Sequence, residues 1–203
     1  MMTTALQRAT SIVVALVGLL PLSAAMAAPD CPTAATARQG YIVERYRLPM
    51  EVIFADDRLV RNILRSTTGE TLLETTAFEG LFELDRIDRG RRTVSHPTTK
   101  LAELFPLKVG KEITANFDIG EAPPTIKGKT VLRLKGKDDL FIEACKYNVF
   151  VMDRSIGRGD SAPVFVSTDY YSPDLKLIVA KQFKNPDGTS LLNKFEKIYP
   201  AKQ

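Results

Sequence analysis

The sequence lacks tryptophan and contains one histidine and two cysteines among 203 residues. A zinc site needs several His, Cys or carboxylate ligands that converge, so these counts leave few ligands for a metal. No Gly-x-Ser-x-Gly element accompanies His96, and no glycine-rich phosphate loop precedes a helical pattern. These absences predict a non-enzymatic protein without a metal, a cofactor or catalytic residues. A hydrolase or isomerase that uses His96 with a nearby carboxylate is the alternative.

Long hydrophobic runs are absent beyond the N-terminus. Arg8 precedes an apolar run over residues 12–22, which is followed by Ala25-Met26-Ala27. A basic residue, a short apolar run and an A-x-A site are typical of a secretory signal peptide, here residues 1–27. No later segment is long and apolar enough to be a transmembrane helix. The predicted localisation is the periplasm of a Gram-negative bacterium, with secretion as the alternative.

The charge of the chain has little excess of either sign. Without Arg8, 27 basic residues stand against 24 acidic ones, a formal charge of +3. The charges are interspersed and form no arginine-rich block, so we expect no nucleic-acid partner. One basic cluster is a possible binding site for an anionic polymer or lipid head group, although scattered turn charges are the favoured explanation. It comprises Arg86, Arg89, Arg91 and Arg92.

The two cysteines, Cys31 and Cys145, both follow the predicted signal peptide. In an oxidising compartment we expect them to pair and to anchor an N-terminal arm over residues 28–39. A redox pair is less favoured, because no Cys-x-x-Cys spacing is present and only Lys146 is an adjacent base. A lipid-modified Cys31 is also less favoured, because Ala28-Pro29-Asp30 lacks the expected small-residue approach.

Helical periodicity is nearly absent, and alternating strand patterns dominate residues 40–203. Over residues 111–119, for example, Ile113, Ala115 and Phe117 alternate with polar residues, which predicts a half-buried strand. Near the C-terminus, Pro-Asp and Asp-Gly turn signals separate three strand-length runs at 163–171, 175–184 and 190–198. Further breaks are predicted at Leu48-Pro49 and at residues 136–139.

This pattern predicts one all-β domain over residues 40–203. We expect an antiparallel meander of about ten strands that forms a curved sheet, a partial barrel or a sandwich. At most one short helix is expected, over residues 98–104.

Several strands near the C-terminus carry apolar residues on both faces. In residues 147–156 Val149 and Val151 lie on one face and Phe150 and Met152 on the other, which is typical of a sheet covered on both sides or lining a cavity. A possible apolar pocket therefore comprises Phe150, Met152, Phe165, Tyr170 and Tyr171. A core filled by side chains is the alternative.

Three motifs resemble those of uncharacterised bacterial periplasmic β-meander proteins. They are Leu104-Phe105-Pro106-Leu107-Lys108-Val109-Gly110-Lys111, Glu79-Gly80-Leu81, and Tyr171-Ser172-Pro173-Asp174-Leu175 with a later Pro-Asp-Gly hairpin. The resemblance implies a curved antiparallel sheet or partial barrel in a Gram-negative envelope. It brings no catalytic residues.

These observations lead to one functional hypothesis and one further alternative. The hypothesis is a non-enzymatic protein that binds an unknown envelope component, either an apolar ligand in the curved sheet or a protein partner on its edge. The alternative is a solidly packed structural or assembly factor of the cell envelope, with an exposed apolar patch or sheet edge.

Overall fold

A computed structural model describes residues 30–120, 123, 126–159, 162–185 and 187–201. The predicted signal peptide lies outside these residues. The described chain contains thirteen strands and two single 3₁₀ turns, Ala37–Gln39 and Leu101–Leu104. The strands are β1 Tyr41–Arg45, β2 Leu48–Phe54, β3 Leu59–Arg65, β4 Thr71–Phe78, β5 Phe82–Asp88, β6 Arg91–Pro97, β7 Glu112–Ile119, β8 Ile126–Ile142, β9 Cys145–Arg158, β10 Phe165–Ser172, β11 Leu177–Lys184, β12 Ser190–Lys194 and β13 Lys197–Pro200.

The thirteen strands form one antiparallel sheet that is not closed. From β1 to β12 each strand pairs with its neighbours in sequence, and β13 pairs with β1. The all-β meander that the sequence predicts is confirmed, with more strands than the ten expected. In the described residues, helical structure is limited to the two 3₁₀ turns, and none is long and apolar enough to cross a membrane.

The C-terminal run 190–198, predicted as one strand, is two strands at opposite edges of the sheet. β12 pairs with β11, whereas β13 pairs with β1. Between them the Phe195 amide donates to the Val179 carbonyl at 3.2 Å, and the Glu196 amide donates to the Glu44 carbonyl at 2.8 Å. The chain therefore leaves one edge for the other within two residues, which holds the two edges together.

Two predicted breaks were wrong. β8 runs straight through residues 136–139, and a register shift between Leu134 and Gly136 leaves Lys135 as the extra residue of a bulge while Gly136 pairs with Val151. Pro49 lies inside β2, beyond the β2–β3 pairing that begins at Met50, so its missing amide costs no bond to β3. The chain instead reverses at Tyr46-Arg47, where both residues have positive φ as a two-residue hairpin turn requires.

The sheet folds over and buries two hydrophobic clusters. The first joins β1–β3 to the ends of β8 and β9 and to β11, with Tyr41, Val52 and Val179 among its fully buried members. The second joins β5 and β7 to the middle of β8 and β9, around Phe82 and Met152. The buried side chains of β9 are at odd-numbered positions up to Val149 and at even-numbered positions from Met152. This change of face occurs where the bulge in the partner strand β8 shifts the register.

The two halves of the folded sheet contact each other through hairpin turns. The Tyr41 hydroxyl donates to the Leu175 carbonyl at 2.6 Å, and the Tyr171 hydroxyl donates to the Glu79 carbonyl at 2.8 Å. Gly80 has φ +64°, and a Cβ there would lie 1.7 Å from the Lys176 carbonyl oxygen. Only glycine allows so close an approach of the two turns.

The predicted disulfide is present. Cys31 and Cys145 are joined across 114 positions of the sequence, with their Cα atoms 5.6 Å apart. The bond fixes the N-terminal arm to the first residue of β9, and Ala37 from the arm is fully buried in the first cluster. The described part of the arm, from residue 30, is therefore a packed part of the domain.

Candidate functional site

A buried ion pair lies inside the folded sheet. Asp169 of β10 is fully buried, and its Oδ2 lies 2.6 Å from Nε of Arg154 on β9, which is 6% exposed. The Ser167 hydroxyl donates to Asp169 Oδ1 at 2.6 Å, and Arg154 Nη1 donates to the Leu81 carbonyl at 2.9 Å. Arg154 Nη2 is also buried and finds no hydrogen-bond acceptor among the described residues. The interior thus contains fixed charge as well as apolar clusters.

An apolar cleft of about 410 Å³ opens beside this ion pair, between β1–β4 and β11–β12. One wall is an apolar row on neighbouring strands, since Met50 pairs with Leu64 and Leu64 pairs with Leu73. The residues of both walls are Arg45, Tyr46, Leu48, Met50, Leu64, Leu73, Ile178, Ala180, Lys181, Phe183, Asn193 and Phe195. Its volume lies within the range of small-molecule sites, which are mostly apolar with a few polar groups.

Lys181 is the ionisable side chain at the inner wall of the apolar cleft. Its Nζ lies 5.4 Å from the centre of the Phe165 ring, and it has no hydrogen bond or ion pair with any described residue. Burial lowers its pKa; the nearby charge of Asp169 opposes this effect, whereas Arg154 reinforces it. Glu83 and Arg45 add smaller opposing contributions to the same pKa.

Arg45 is the second cation of the apolar cleft. Its guanidinium lies 5.2 Å from the centre of the Tyr46 ring, and within the described chain it has no hydrogen bond or ion pair. No Asp or Glu is among the described residues that line the cleft. The cleft therefore combines apolar walls with a local excess of positive charge.

A second cleft, of about 530 Å³, is polar and lies at the ends of β5–β9. Thr93, Ser95 and Thr130 provide hydroxyl groups, and Phe117 and Ile119 provide apolar surface. Its charged lining residues are Glu83, Arg86, Asp88, Arg91, Arg92, Lys129 and Arg158. Gly128 leaves room for Ile119, because a Cβ there would lie 2.5 Å from Ile119 Cδ1.

The structure places three of the four arginines of the predicted anion site in this polar cleft. Arg86 is paired with Asp88 at 2.9 Å, and Arg92 with Asp85 at 2.6 Å. Arg91 lines the cleft on an exposed position, and Arg89 lies in the β5–β6 turn outside it. Acidic neighbours thus neutralise part of this cluster, and anion binding there stays a prediction.

The five residues of the predicted apolar pocket do not line one cavity. Met152 and Tyr171 are buried in the second cluster, and Phe150 lies 6.4 Å from Tyr171 between ring centres. Tyr170 packs on the first cluster. Phe165 contacts the apolar cleft indirectly, through Phe183 at 5.4 Å between ring centres. These five side chains therefore lie at packed positions, and other residues line the apolar cleft.

His96 is exposed on β6, and no described carboxylate is within hydrogen-bond reach of it. Asp118, its partner position on β7, is paired with Lys127 at 2.6 Å. The geometry required by the hydrolase or isomerase alternative is therefore missing from the described chain. The described residues also contain no group of three His, Cys, Asp or Glu side chains placed to hold a metal ion.

The residues that line the apolar cleft were not predicted from the sequence. Leu73 of β4 and Ile178 of β11 are 105 positions apart in sequence, and the folding of the sheet brings them together. One signal was available, since Lys181 occupies the inward register of β11 together with Val179 and Phe183. A lysine in the inward register of an otherwise apolar strand face indicates a functional or paired position.

Comparison with known proteins gives little further information. No family model matches the chain, and no curated protein matches its sequence. A solved structure, the crystal structure of the hypothetical lipoprotein YmcC from Escherichia coli (K12), superimposes with a TM-score of 0.47 and 9% identity. The match covers 80% of this chain and 87% of that chain. The likeness is too distant to assign a residue role or a ligand.

Proposed function

We propose that this protein is a non-enzymatic binding protein of the bacterial envelope that holds an apolar ligand in the cleft between β1–β4 and β11–β12. The observation that supports the proposal is the cleft itself, about 410 Å³ of open space with a mainly apolar wall. A concave, mostly apolar space of this volume is typical of small-molecule sites.

Two features of the chain support the envelope location. The N-terminal sequence has the pattern of a secretory signal peptide. The disulfide between Cys31 and Cys145 is typical of proteins that fold in an oxidising compartment. Apolar molecules that move through such a compartment need a protein cavity because water solvates them poorly.

The proposal is tested with N-phenyl-1-naphthylamine, a neutral apolar fluorophore whose emission rises in an apolar site. We expect saturable binding to the purified protein. Leu73→Trp should weaken this binding about tenfold or more, because the larger ring fills the cleft.

The matched control for this experiment is Thr76→Trp. Thr76 lies three positions after Leu73 on β4 and does not line the cleft, so its side chain points to the other face of the sheet. This variant should bind the fluorophore within about twofold of the unchanged protein. Absence of saturable binding, or equal binding by both variants, would overturn the proposal.

A second candidate function is binding of a protein partner at the β12 edge. Among the described strands β12 pairs with β11 alone, and Leu191 and Leu192 are 53% and 45% exposed. Exposed apolar edge strands are templates for pairing with another chain. A photo-crosslinking residue at position 191 should give a defined adduct in cells, whereas the same residue at the exposed position 184 of β11 should not. No adduct at position 191 would remove this candidate.

A further inference from the structure

The apolar cleft has an electrostatic asymmetry that a purely apolar ligand leaves unexplained. Both of its charged lining residues are cations, Arg45 and Lys181, and no described lining residue is an Asp or a Glu. Their charges are close enough for Arg45 to influence the proton affinity of Lys181. Two like charges on the two walls of one apolar cleft repel each other, so this arrangement gains from an anion placed between them.

Lys181 is the more informative of the two cations. A partly buried ammonium normally has an ion pair or hydrogen-bond acceptors, because its desolvation is costly. Its electrostatic neighbour Asp169 already has Arg154 Nε at 2.6 Å and the Ser167 hydroxyl at 2.6 Å. Among the described residues the Lys181 ammonium therefore has no acceptor of its own, and it lies at the wall of the cleft.

The shape of the cleft limits the apolar part of the ligand. The row of Met50, Leu64 and Leu73 crosses three neighbouring strands, which spans roughly 10 Å at the usual strand spacing. The volume of about 410 Å³ lies near the lower end of the range for small-molecule sites. One acyl chain fits these dimensions better than the two chains of a diacyl lipid.

We propose that the ligand is a single-chain amphiphile with an anionic head group, whose acyl chain lies along the Met50–Leu64–Leu73 row and whose anion pairs with Lys181 and Arg45. This inference rests on the proposed function of the cleft. A carboxylate and a phosphate monoester share the required charge, and the experiment below distinguishes them.

The test is displacement of the bound neutral fluorophore by four competitors. They are palmitate, 1-palmitoyl lysophosphatidic acid, neutral 1-monopalmitoylglycerol and a diacyl phosphatidic acid. We expect the palmitate or the lysophosphatidic acid to bind about tenfold or more tightly than the neutral monoacylglycerol, since a hydrogen bond to a charged group contributes such a factor. The tighter of the two anions identifies the head group, and the diacyl lipid should compete poorly.

Lys181→Met should lower the affinity for the preferred anion about tenfold or more relative to the affinity for the neutral monoacylglycerol, with both measured on the same variant. Lys184→Met is the matched control, because Lys184 is exposed on the same strand and does not line the cleft. Arg45→Gln, compared with Arg47→Gln in the exposed hairpin turn, tests the second cation in the same way. A thermal melt confirms that each variant is folded.

The outcomes separate the two proposals. If the fluorophore binds and Leu73→Trp blocks it, but charged and neutral competitors bind equally, the anionic head group is refuted and the apolar cleft stands. The same conclusion follows if Lys181→Met and Arg45→Gln leave the preference for the anion unchanged. If the fluorophore does not bind, the proposed function fails, and this inference fails with it.

Discussion

Replacement of Arg154 by methionine is expected to be among the most destabilising single changes in this protein. Asp169 is fully buried, and Arg154 is the cation that compensates its charge, with Nε 2.6 Å from Oδ2. Methionine keeps much of the length and apolar volume of the side chain but leaves the carboxylate without its cation. Breaking a buried pair in this way costs about 3–5 kcal/mol. For a domain of this size the loss lowers Tm by roughly 6 to 20 °C.

The assay is urea unfolding of the oxidised protein, compared with an exposed pair in the same sheet. Arg61 and Glu74 lie 2.7 Å apart, but their side chains are 46% and 25% exposed. Arg61→Met should therefore cost less than about 1 kcal/mol. A loss below about 1 kcal/mol for Arg154→Met as well would refute the conclusion that the interior holds a fixed, desolvated charge pair.

The double variant Arg154→Met/Asp169→Leu completes the test. It removes both charges and leaves two apolar side chains in an apolar surrounding. Replacement of a whole buried pair is often close to neutral, so the double variant should be more stable than Arg154→Met alone. A double variant that is less stable than the single one would show that packing, rather than the uncompensated charge of Asp169, causes the loss.

Three further predictions concern stability. Replacing Cys31 and Cys145 by serine should lower the free energy of unfolding by about 4 to 5 kcal/mol in the chain-entropy model, because the loop spans 114 positions; urea titration measures it, and a loss below about 1 kcal/mol contradicts it. Gly80→Ala should cost more than about 2 kcal/mol through its backbone clash, whereas Gly90→Ala, at φ +80° but in open space, should cost about 1 kcal/mol, as thermal melts can show. Burial lowers the pKa of Lys181, so the folded state binds fewer protons than the unfolded state at pH values between this lowered pKa and the unfolded-state pKa of ~10.4. The free energy of unfolding therefore falls as pH falls through the lowered pKa. Lys181→Met should therefore be more stable than the unchanged protein at pH 7 and show a flatter stability profile between pH 7 and 10; equal profiles would contradict this.

The contrast at Lys181 links stability to the proposed site. The same substitution is expected to stabilise the protein and to weaken binding of an anionic amphiphile. Functional positions often reduce the stability of a fold in this way. If Lys181→Met raises the free energy of unfolding but does not change the affinity for the anionic amphiphile, Lys181 has no role in ligand binding.

The class of fold and the local position of most strands could be predicted from residue order alone. Alternation over residues 111–119 correctly placed Ile113, Ala115 and Phe117 inside, because side chains on a strand point to opposite faces in turn. The presence of only two cysteines after the predicted signal peptide was enough to predict the disulfide. These properties depend on local geometry or on counting, which a sequence displays directly.

The tertiary structure alone decided where the strands end, which residues meet and where open space remains. β8 continues past a bulge at Lys135 through a stretch with turn composition, and at Phe195-Glu196 a single predicted strand divides between the two edges of the sheet. The apolar cleft exists because the sheet folds over and sets β2–β4 opposite β11, which brings Leu73 and Lys181 to the walls of one space. Strand alternation reports the face of a residue but not the curvature of the sheet, and curvature depends on the packing of all strands together.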